Sequence, residues 1–260
     1  MIGFLLRKTL YDLWDNMFRI VVLNLGFFIC TSILLLPILL PQVFDTDLFA
    51  IVLGVLGTLL CCVYLSAAAY TVKVISDYGN FTFRDFFSNF KKSWLAGIAM
   101  FLYMMLLFYL VSVALPSYFV LEPQIVGLPL FGIILWLIVF SLLSFQYYFS
   151  VYSRLGGKVI KSFKKCMILS IDNTGMSIFL FIHSIATVLI SFPFMFMFPG
   201  PVGVLLYLDE AIRLRILKYD WLEANPGANR RKIPWDEILI EERERTGTRS
   251  FRNFIFPWKD

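Results

Sequence analysis

Long runs of uncharged, apolar residues constrain this chain more than any motif in it. A helix that crosses a lipid bilayer needs about 20 mostly apolar residues, because each residue advances the helix by about 1.5 Å. Five stretches meet this requirement: 20–40, 48–72, 94–115, 125–152 and 176–198. A sixth, 202–217, is apolar only in its first half. The sequence therefore predicts an all-α, polytopic membrane protein whose transmembrane helical domain covers residues 20–218.

The composition excludes the other common classes of protein. Hydrophobic residues make up 59% of the chain and charged residues 16%, whereas soluble domains are about 45–50% apolar and about 25% charged. The chain has one histidine and four cysteines, without a C-x-x-C pair. Motifs for nucleophilic catalysis, zinc binding and phosphate-binding glycine loops do not occur. We expect no enzyme activity, no catalytic residues, no metal and no cofactor.

The distribution of positive charge predicts the orientation in the membrane. None of the 23 Lys and Arg residues lies in the connections 41–47, 116–124 or 199–201. Cytoplasmic connections carry an excess of Lys and Arg, so these three connections are predicted to lie outside and both termini in the cytoplasm. Two cytoplasmic termini require an even number of spans, which is the reason to include 202–217 despite its charges.

Amphipathic segments are predicted to lie on the cytoplasmic side before three of the spans. The first is the N-terminal arm, residues 1–19, and the third is 158–167. In the second, Thr82 and Asp85 have the spacing of a capping box that would begin a helix. Its apolar stripe, a candidate interface with a partner, consists of Phe83, Phe86, Phe87, Phe90 and Trp94. The whole chain has a net charge of +5. Because its cations are concentrated on the cytoplasmic side, the amphipathic segments are expected to bind anionic lipid there rather than nucleic acid.

The C-terminal tail, residues 219–260, is predicted to be soluble and cytoplasmic. Pro234 is expected to begin a helix that ends before Gly247, since proline is favoured at the first helical position and glycine beyond the last. The final peptide is apolar again and too short to span. Its candidate docking residues are Phe254, Phe256 and Trp258.

Three polar residues within or beside the spans form a candidate intramembrane site: Asn24, Asp172 and His183. Asn24 is expected to make an interhelical hydrogen bond. His183 is predicted to be a neutral, hydrogen-bonded structural residue. The alternative is a proton path with Asp172, which would share a helix face with it if one helix ran through both. Residues 172–175 are expected to cap a helix, with ion binding as the alternative.

Two acidic residues in the sixth predicted span are predicted to form local ion pairs. Asp209 precedes Arg213 by four positions and Glu210 precedes it by three. Side chains at these spacings are neighbours on a helix surface. We expect their charges to lie toward the cytoplasmic mouth of the span.

Several stretches together resemble the YesL-like family of bacterial integral membrane proteins, which is defined by a domain of unknown function. They are Asn24 in the first span, SAAAY at 66–70, FRDFFSNFKK at 83–92, YYFSVYSR at 147–154 and FIFPWK at 254–259. The resemblance implies a bacterial plasma-membrane protein associated with carbohydrate ABC importers. It implies no catalytic residues.

The resulting expectation is a non-catalytic accessory or assembly subunit of a carbohydrate ABC import system, with an ABC permease as its membrane partner. The alternative is a small transporter or channel whose path lies inside the helix bundle. A transporter should line its path with polar residues and broken helices, whereas the predicted spans are dominated by Leu, Ile, Phe and Val.

Overall fold

A computed structural model describes residues 1–39, 47–229 and 232–247, and within these ranges the chain is helical without strands. The helices are α1 Ile2–Asp15, α2 Met17–Leu39, α3 Asp47–Ser76, α4 Phe83–Tyr109, α5 Leu115–Phe119, α6 Gln124–Phe145, α7 Tyr148–Leu155, α8 Val159–Asp172, α9 Thr174–Ser191, α10 Gly200–Ala224, α11 Trp235–Ile238 and α12 Ile240–Thr246. A π-helical turn, Leu110–Ala114, joins α4 to α5.

Within the described residues, five helical stretches are long and apolar enough to cross a membrane. They are Met17–Pro37, Leu48–Ser76, Phe83–Phe119, Gln124–Phe145 and Thr174–Phe194. The all-α, polytopic class predicted from the sequence is confirmed. The sixth predicted span, 202–217, lies inside α10, which is not among the five.

The start of α4 follows the predicted capping box. The Asp85 amide donates to the Thr82 hydroxyl and the Thr82 amide donates to Asp85 Oδ2 at 2.9 Å. The helix then runs through the predicted arm and into the predicted span without a break. Its Gly97 lies against α3, where an added Cβ would approach Val63 Cα to 2.5 Å, so a small residue allows the two helices to pack closely.

Several predicted helices are interrupted. The predicted span 125–152 ends as α6 at Phe145, and α7 follows as a separate short helix. The helix predicted after Pro234 and before Gly247 exists, but it divides at Leu239 into α11 and α12. Leu239 is fully buried, so this part of the predicted soluble tail packs back onto the bundle.

At one end of the bundle, α10 is the central helix. It packs against α1, α2, α3, α7 and α9, and its residues from Leu205 to Ile212 are all buried. The small residues Ala67, Ala68 and Ala69 of α3 are buried with it. A helix buried on all sides that also carries charges must find partners for those charges within the protein.

Candidate interaction site at the charged end of the bundle

Charged side chains converge where the end of α3 meets the middle of α10. Lys8 of α1 is only 1% exposed. Its Nζ lies 2.5 Å from Asp12 Oδ2, 3.1 Å from the Ser76 carbonyl oxygen and 3.5 Å from Glu210 Oε1. The Thr9 hydroxyl donates to the other oxygen of Glu210. These contacts fasten the N-terminal arm to α3 and α10.

A second pair joins α7 to the same part of α10. Arg154 binds Asp209 with two nitrogens, Nε to Oδ1 at 2.9 Å and Nη2 to Oδ2 at 2.5 Å. Its guanidinium also donates to the Ser76 hydroxyl at 2.8 Å and to Asp77 at 3.0 Å. Both Arg154 and Asp209 have side chains that are almost fully buried. The planar guanidinium therefore connects the end of α3, α7 and α10.

Arg213 brings the C-terminal region into the cluster. Its guanidinium donates to Glu242 Oε1 of α12, with Nη2 at 2.6 Å, and to Asp77 and the Ser76 carbonyl oxygen. The predicted local pairs of Asp209 and Glu210 with Arg213 are therefore wrong. Partners on other helices replace the neighbours along the helix, because α10 is surrounded and its side chains meet α1, α7 and α12.

Tyr78 lies between the cations of this cluster. Lys8 Nζ is 4.2 Å from the centre of its ring and the Arg213 guanidinium is 5.3 Å from it. The Tyr78 hydroxyl donates to Glu242 Oε2 at 2.9 Å. Its backbone has φ of 60°, a conformation that is unfavourable for a bulky residue and persists where surrounding contacts fix it.

Electrostatics favours the charged form of Lys8 at this site. Burial opposes the charge, but the carboxylates of Glu210 and Asp12 outweigh burial, so the pKa of Lys8 is raised above its ordinary value. The amino group is thus protonated at neutral pH and balances buried acid. We name the set Lys8, Asp12, Asp77, Tyr78, Arg154, Asp209, Glu210, Arg213 and Glu242 the ion-pair cluster.

The predicted intramembrane residue Asn24 makes the expected interhelical hydrogen bonds. Its amide donates to the carbonyl oxygens of Met197 at 2.9 Å and Pro199 at 2.8 Å, and its oxygen accepts from the Val202 amide at 3.0 Å. Asn24 is fully buried. It binds the turn between α9 and α10, whose Gly200 amide also donates to the Ser191 hydroxyl at 2.9 Å.

The turn between α9 and α10 lies beside the first third of α2. Asn24 is the eighth residue of α2, so the turn lies about 10 Å along that helix from its start. Between the turn and Asp209, only the seven residues 202–208 are uncharged, a rise of about 10 Å. The hydrocarbon core is about 30 Å thick. The uncharged start of α10 is too short to cross it.

His183 contacts aromatic and hydroxyl groups rather than a second ionisable residue. Its ring stacks on Tyr207 of α10, with the ring centres 4.0 Å apart. Its Nδ1 is 3.3 Å from the Thr187 hydroxyl, one turn along its own helix. The ring of Phe179, on the same helix, lies 6.1 Å from the His183 ring between centres. The arrangement agrees with a structural role, although a stacked ring replaces the predicted interhelical hydrogen bond.

Asp172 is separated from His183 by the break between α8 and α9 at Asn173, so the two do not share one helix face. The Tyr219 hydroxyl donates to Asp172 Oδ2 at 2.6 Å, and Lys218 Nζ lies 3.5 Å from the same oxygen. The hydrogen bond from Tyr219 holds the pKa of Asp172 below its usual value. The predicted capping by residues 172–175 occurs at the end of α8, where the Thr174 hydroxyl donates to the carbonyl oxygens of Ser170 at 3.1 Å and Ile171 at 3.2 Å. At the start of α9, Asn173 makes no side-chain capping hydrogen bond.

The aromatic stripe of α4 divides between the core and the surface. Phe86 is buried and Phe90 is partly buried, and both rings pack on Tyr64, at 5.3 and 6.2 Å between centres. The exposed members are Phe83, Phe87 and Trp94. Only this exposed group remains a candidate contact with lipid or a partner. The remaining predicted docking residues, Phe254, Phe256 and Trp258, lie outside the described residues.

The predicted candidate residues do not form one site. Asn24, Asp172 and His183 each bind different partners, and the polar path that a transporter would need is not assembled from them. Sequence reasoning missed Lys8, Tyr78, Arg154 and Glu242.

No family model, curated protein or solved structure matches this chain. The class of protein therefore follows from the fold alone. Five apolar helical stretches and a charged end closed by buried ion pairs define an all-α, polytopic membrane protein.

Proposed function

We propose that this chain is a non-catalytic accessory or assembly subunit of the bacterial plasma membrane, associated with a carbohydrate ABC importer. The observation that carries the proposal is the uncovered apolar surface of the spans. Only 11–22% of the most apolar part of each of the five stretches is buried. Such surface requires lipid or another membrane protein as its neighbour. The resemblance to YesL-like proteins supplies the kind of neighbour.

The distribution of polar groups supports an assembly role over a transport role. Three ionisable residues of α10, Asp209, Glu210 and Arg213, are bound within the ion-pair cluster, where they hold α1, α7 and α12 in place. A path through a bundle needs polar groups that remain available to a substrate. The cluster instead gives the apolar spans a rigid base.

Cross-linking from α6 tests the proposed partner. Trp136 is 73% exposed, whereas Ile138 on the same helix is 6% exposed. We expect a photoreactive amino acid at Trp136 to cross-link to a sugar permease in native membranes, and the same group at Ile138 to give no intermolecular product. Mass spectrometry of the purified adducts identifies the neighbour. Adducts with lipid alone from Trp136 would contradict the proposal.

We further propose that α9 and α10 form a re-entrant hairpin, and that four spans, α2, α3, α4 with its extension to Phe119, and α6, cross the bilayer. Both termini then lie in the cytoplasm, as the charge distribution predicts. The support is the shallow attachment of the hairpin turn to Asn24. With an even number of full spans, the parity argument no longer requires α10 to cross.

Cysteine labelling in intact cells distinguishes this topology from one with six spans. Val120 and Met195 are both highly exposed. We expect a cysteine at Val120 to react with an impermeant maleimide added outside, and cysteines at Met195 and Gly157 to react only after permeabilisation. The four native cysteines are free, so the unaltered chain supplies the background signal. Labelling at Met195 from outside would show that α9 crosses the membrane.

A further inference from the structure

Arg215 differs from the other buried cations of α10 because its partners carry no charge. It is 2% exposed. Its Nη1 donates to the Leu169 carbonyl oxygen at 3.1 Å and its Nη2 donates to the Tyr147 hydroxyl at 3.2 Å. Its Nε is buried without a hydrogen-bond partner. Within the described parts of the chain, no carboxylate lies within ion-pair distance of it.

An isolated buried guanidinium is expensive for a protein to keep. Removing an ion from water costs several kcal/mol even after relaxation, unless an opposite charge compensates it. The Tyr147 ring, 4.8 Å from the guanidinium, and the carbonyl at the end of α8 offset part of that cost. Two of the five N–H donors of the guanidinium are used, so it retains capacity for an anion.

Two cavities border Arg215. One, of about 470 Å³, is lined also by Met1, Asn173, Lys218 and Trp235. The other, of about 510 Å³, has Lys165 and Arg215 as its cations and a wall of Ile168, Ile212 and Ile216. The second cavity therefore combines two positive charges with an aliphatic surface. This combination suits a ligand that has both an anionic and an apolar part.

Two acids also line the second cavity, and their positions limit their effect on an anion. The Asp172 carboxylate accepts a hydrogen bond from the Tyr219 hydroxyl, and the ammonium group of Lys218 lies 3.5 Å from the same oxygen and offsets its charge. Asp220 is exposed to solvent, where water screens its charge. The buried charge that faces the cavity is thus the positive one of Arg215.

We propose that this cavity binds the phosphate group of an anionic amphiphile. Arg215 and Lys165 contact the phosphate, and the aliphatic wall contacts the apolar part. Arginine suits this role because its planar guanidinium matches phosphate oxygens. A membrane lipid is the source that fits the exposed apolar residues Ile168 and Ile171 beside it on α8. The choice of lipid over free phosphate depends on the proposed function, which places α8 at the cytoplasmic face of the membrane. The anion site itself does not depend on that proposal.

Native mass spectrometry of the detergent-purified, full-length protein tests the site without any partner protein. The probes are phosphatidylglycerol, phosphatidylcholine and inorganic phosphate, each added separately. Both lipids carry a phosphate, but phosphatidylcholine also carries a choline cation that the charges of Arg215 and Lys165 repel. We therefore expect phosphatidylglycerol to bind at least about tenfold more tightly than phosphatidylcholine. Arg215→Gln and Lys165→Gln should each reduce that preference several-fold. Arg243→Gln, which removes one exposed cation from α12, outside the amphipathic arms, should leave it unchanged.

These measurements test the lipid site independently of the cross-linking experiment from Trp136, which tests the proposed partner. Equal binding of the two lipids by the unaltered protein would overturn the proposed lipid site, and so would the same loss of preference in Arg243→Gln as in the cavity variants. Tight binding of inorganic phosphate together with equal binding of the two lipids would also overturn it, because the ligand would then be a soluble phosphate compound and not an amphiphile. If Arg215→Gln does not fold, Lys165→Gln at the partly exposed rim decides the outcome.

Discussion

Replacing Arg154 with methionine is expected to lower the apparent melting temperature of the detergent-purified protein by about 10 °C or more. The substitution keeps much of the side-chain volume but leaves Asp209 buried without its cation. Removing one partner of a buried ion pair typically costs about 3–5 kcal/mol, because an uncompensated charge remains. Tryptophan fluorescence during heating measures the change.

The chain offers a matched control in an exposed ion pair. Arg243 Nη2 lies 2.7 Å from Asp236 Oδ1, but the two side chains are 44% and 90% exposed. Exposed pairs contribute about 0–1 kcal/mol, so Arg243→Met should shift the melting temperature by no more than about 3 °C. The double variant Arg154→Met with Asp209→Asn should recover part of the lost melting temperature, because it also removes the negative charge that would otherwise be buried without a cation. Equal shifts for Arg154→Met and Arg243→Met would show that the buried cluster does not stabilise the fold.

The spans and helix starts could be predicted from the sequence because they depend on local properties. Hydropathy over about 20 residues determines whether a helix can lie in a membrane. The capping box at Thr82 uses side chains three residues apart, and the structure contains it. Asn24 could be identified because an amide in an apolar helix needs a partner wherever that helix packs.

The ion-pair cluster could not be predicted in the same way, because its partners are far apart in the sequence. Lys8 and Glu210 are separated by about two hundred residues, and only the packing of α1 against α10 brings them together. The rule for neighbours on one helix gave Arg213 as the partner of Asp209. That rule describes exposed helices, whereas α10 is buried and its carboxylates meet cations on other helices.

The boundary between α8 and α9 shows a second limit. A continuous helix through Asp172 and His183 is compatible with the local composition. The break at Asn173 depends on contacts with α10, where Lys218 Nζ donates to Asn173 Oδ1 at 3.2 Å and Tyr219 donates to Asp172. The residues 172–175 gave a local signal for a helix boundary, but the tertiary hydrogen bonds to Lys218 and Tyr219 could not be predicted from it.

Replacing Asn24 with alanine should destabilise the protein as strongly as the loss of Arg154. The Asn24 amide satisfies two carbonyl oxygens and one amide of the turn between α9 and α10. The Met197 carbonyl oxygen and the Val202 amide would lose this partner beside the fully buried residue 24, whereas the Pro199 carbonyl oxygen still accepts from the Gly203 amide at 3.0 Å. An unsatisfied buried polar group costs about 1–3 kcal/mol, so a loss of about 3–5 kcal/mol is expected, or at least about 6 °C in melting temperature.

Gly200→Ala tests the same attachment from the other side. Gly200 has φ of 62°, and a Cβ at this position would come within 2.5 Å of Asn24 Nδ2. The added methyl group should therefore push the turn away from Asn24, and the double variant with Asn24→Ala should be less destabilised than the sum of the two single variants. Asn225→Ala at the exposed end of α10 is the matched control, because its amide binds only the Trp221 carbonyl oxygen of its own helix. If Asn24→Ala melts within about 2 °C of the unaltered protein, or if the two effects simply add, the turn is not held by Asn24 and the shallow hairpin loses its main support.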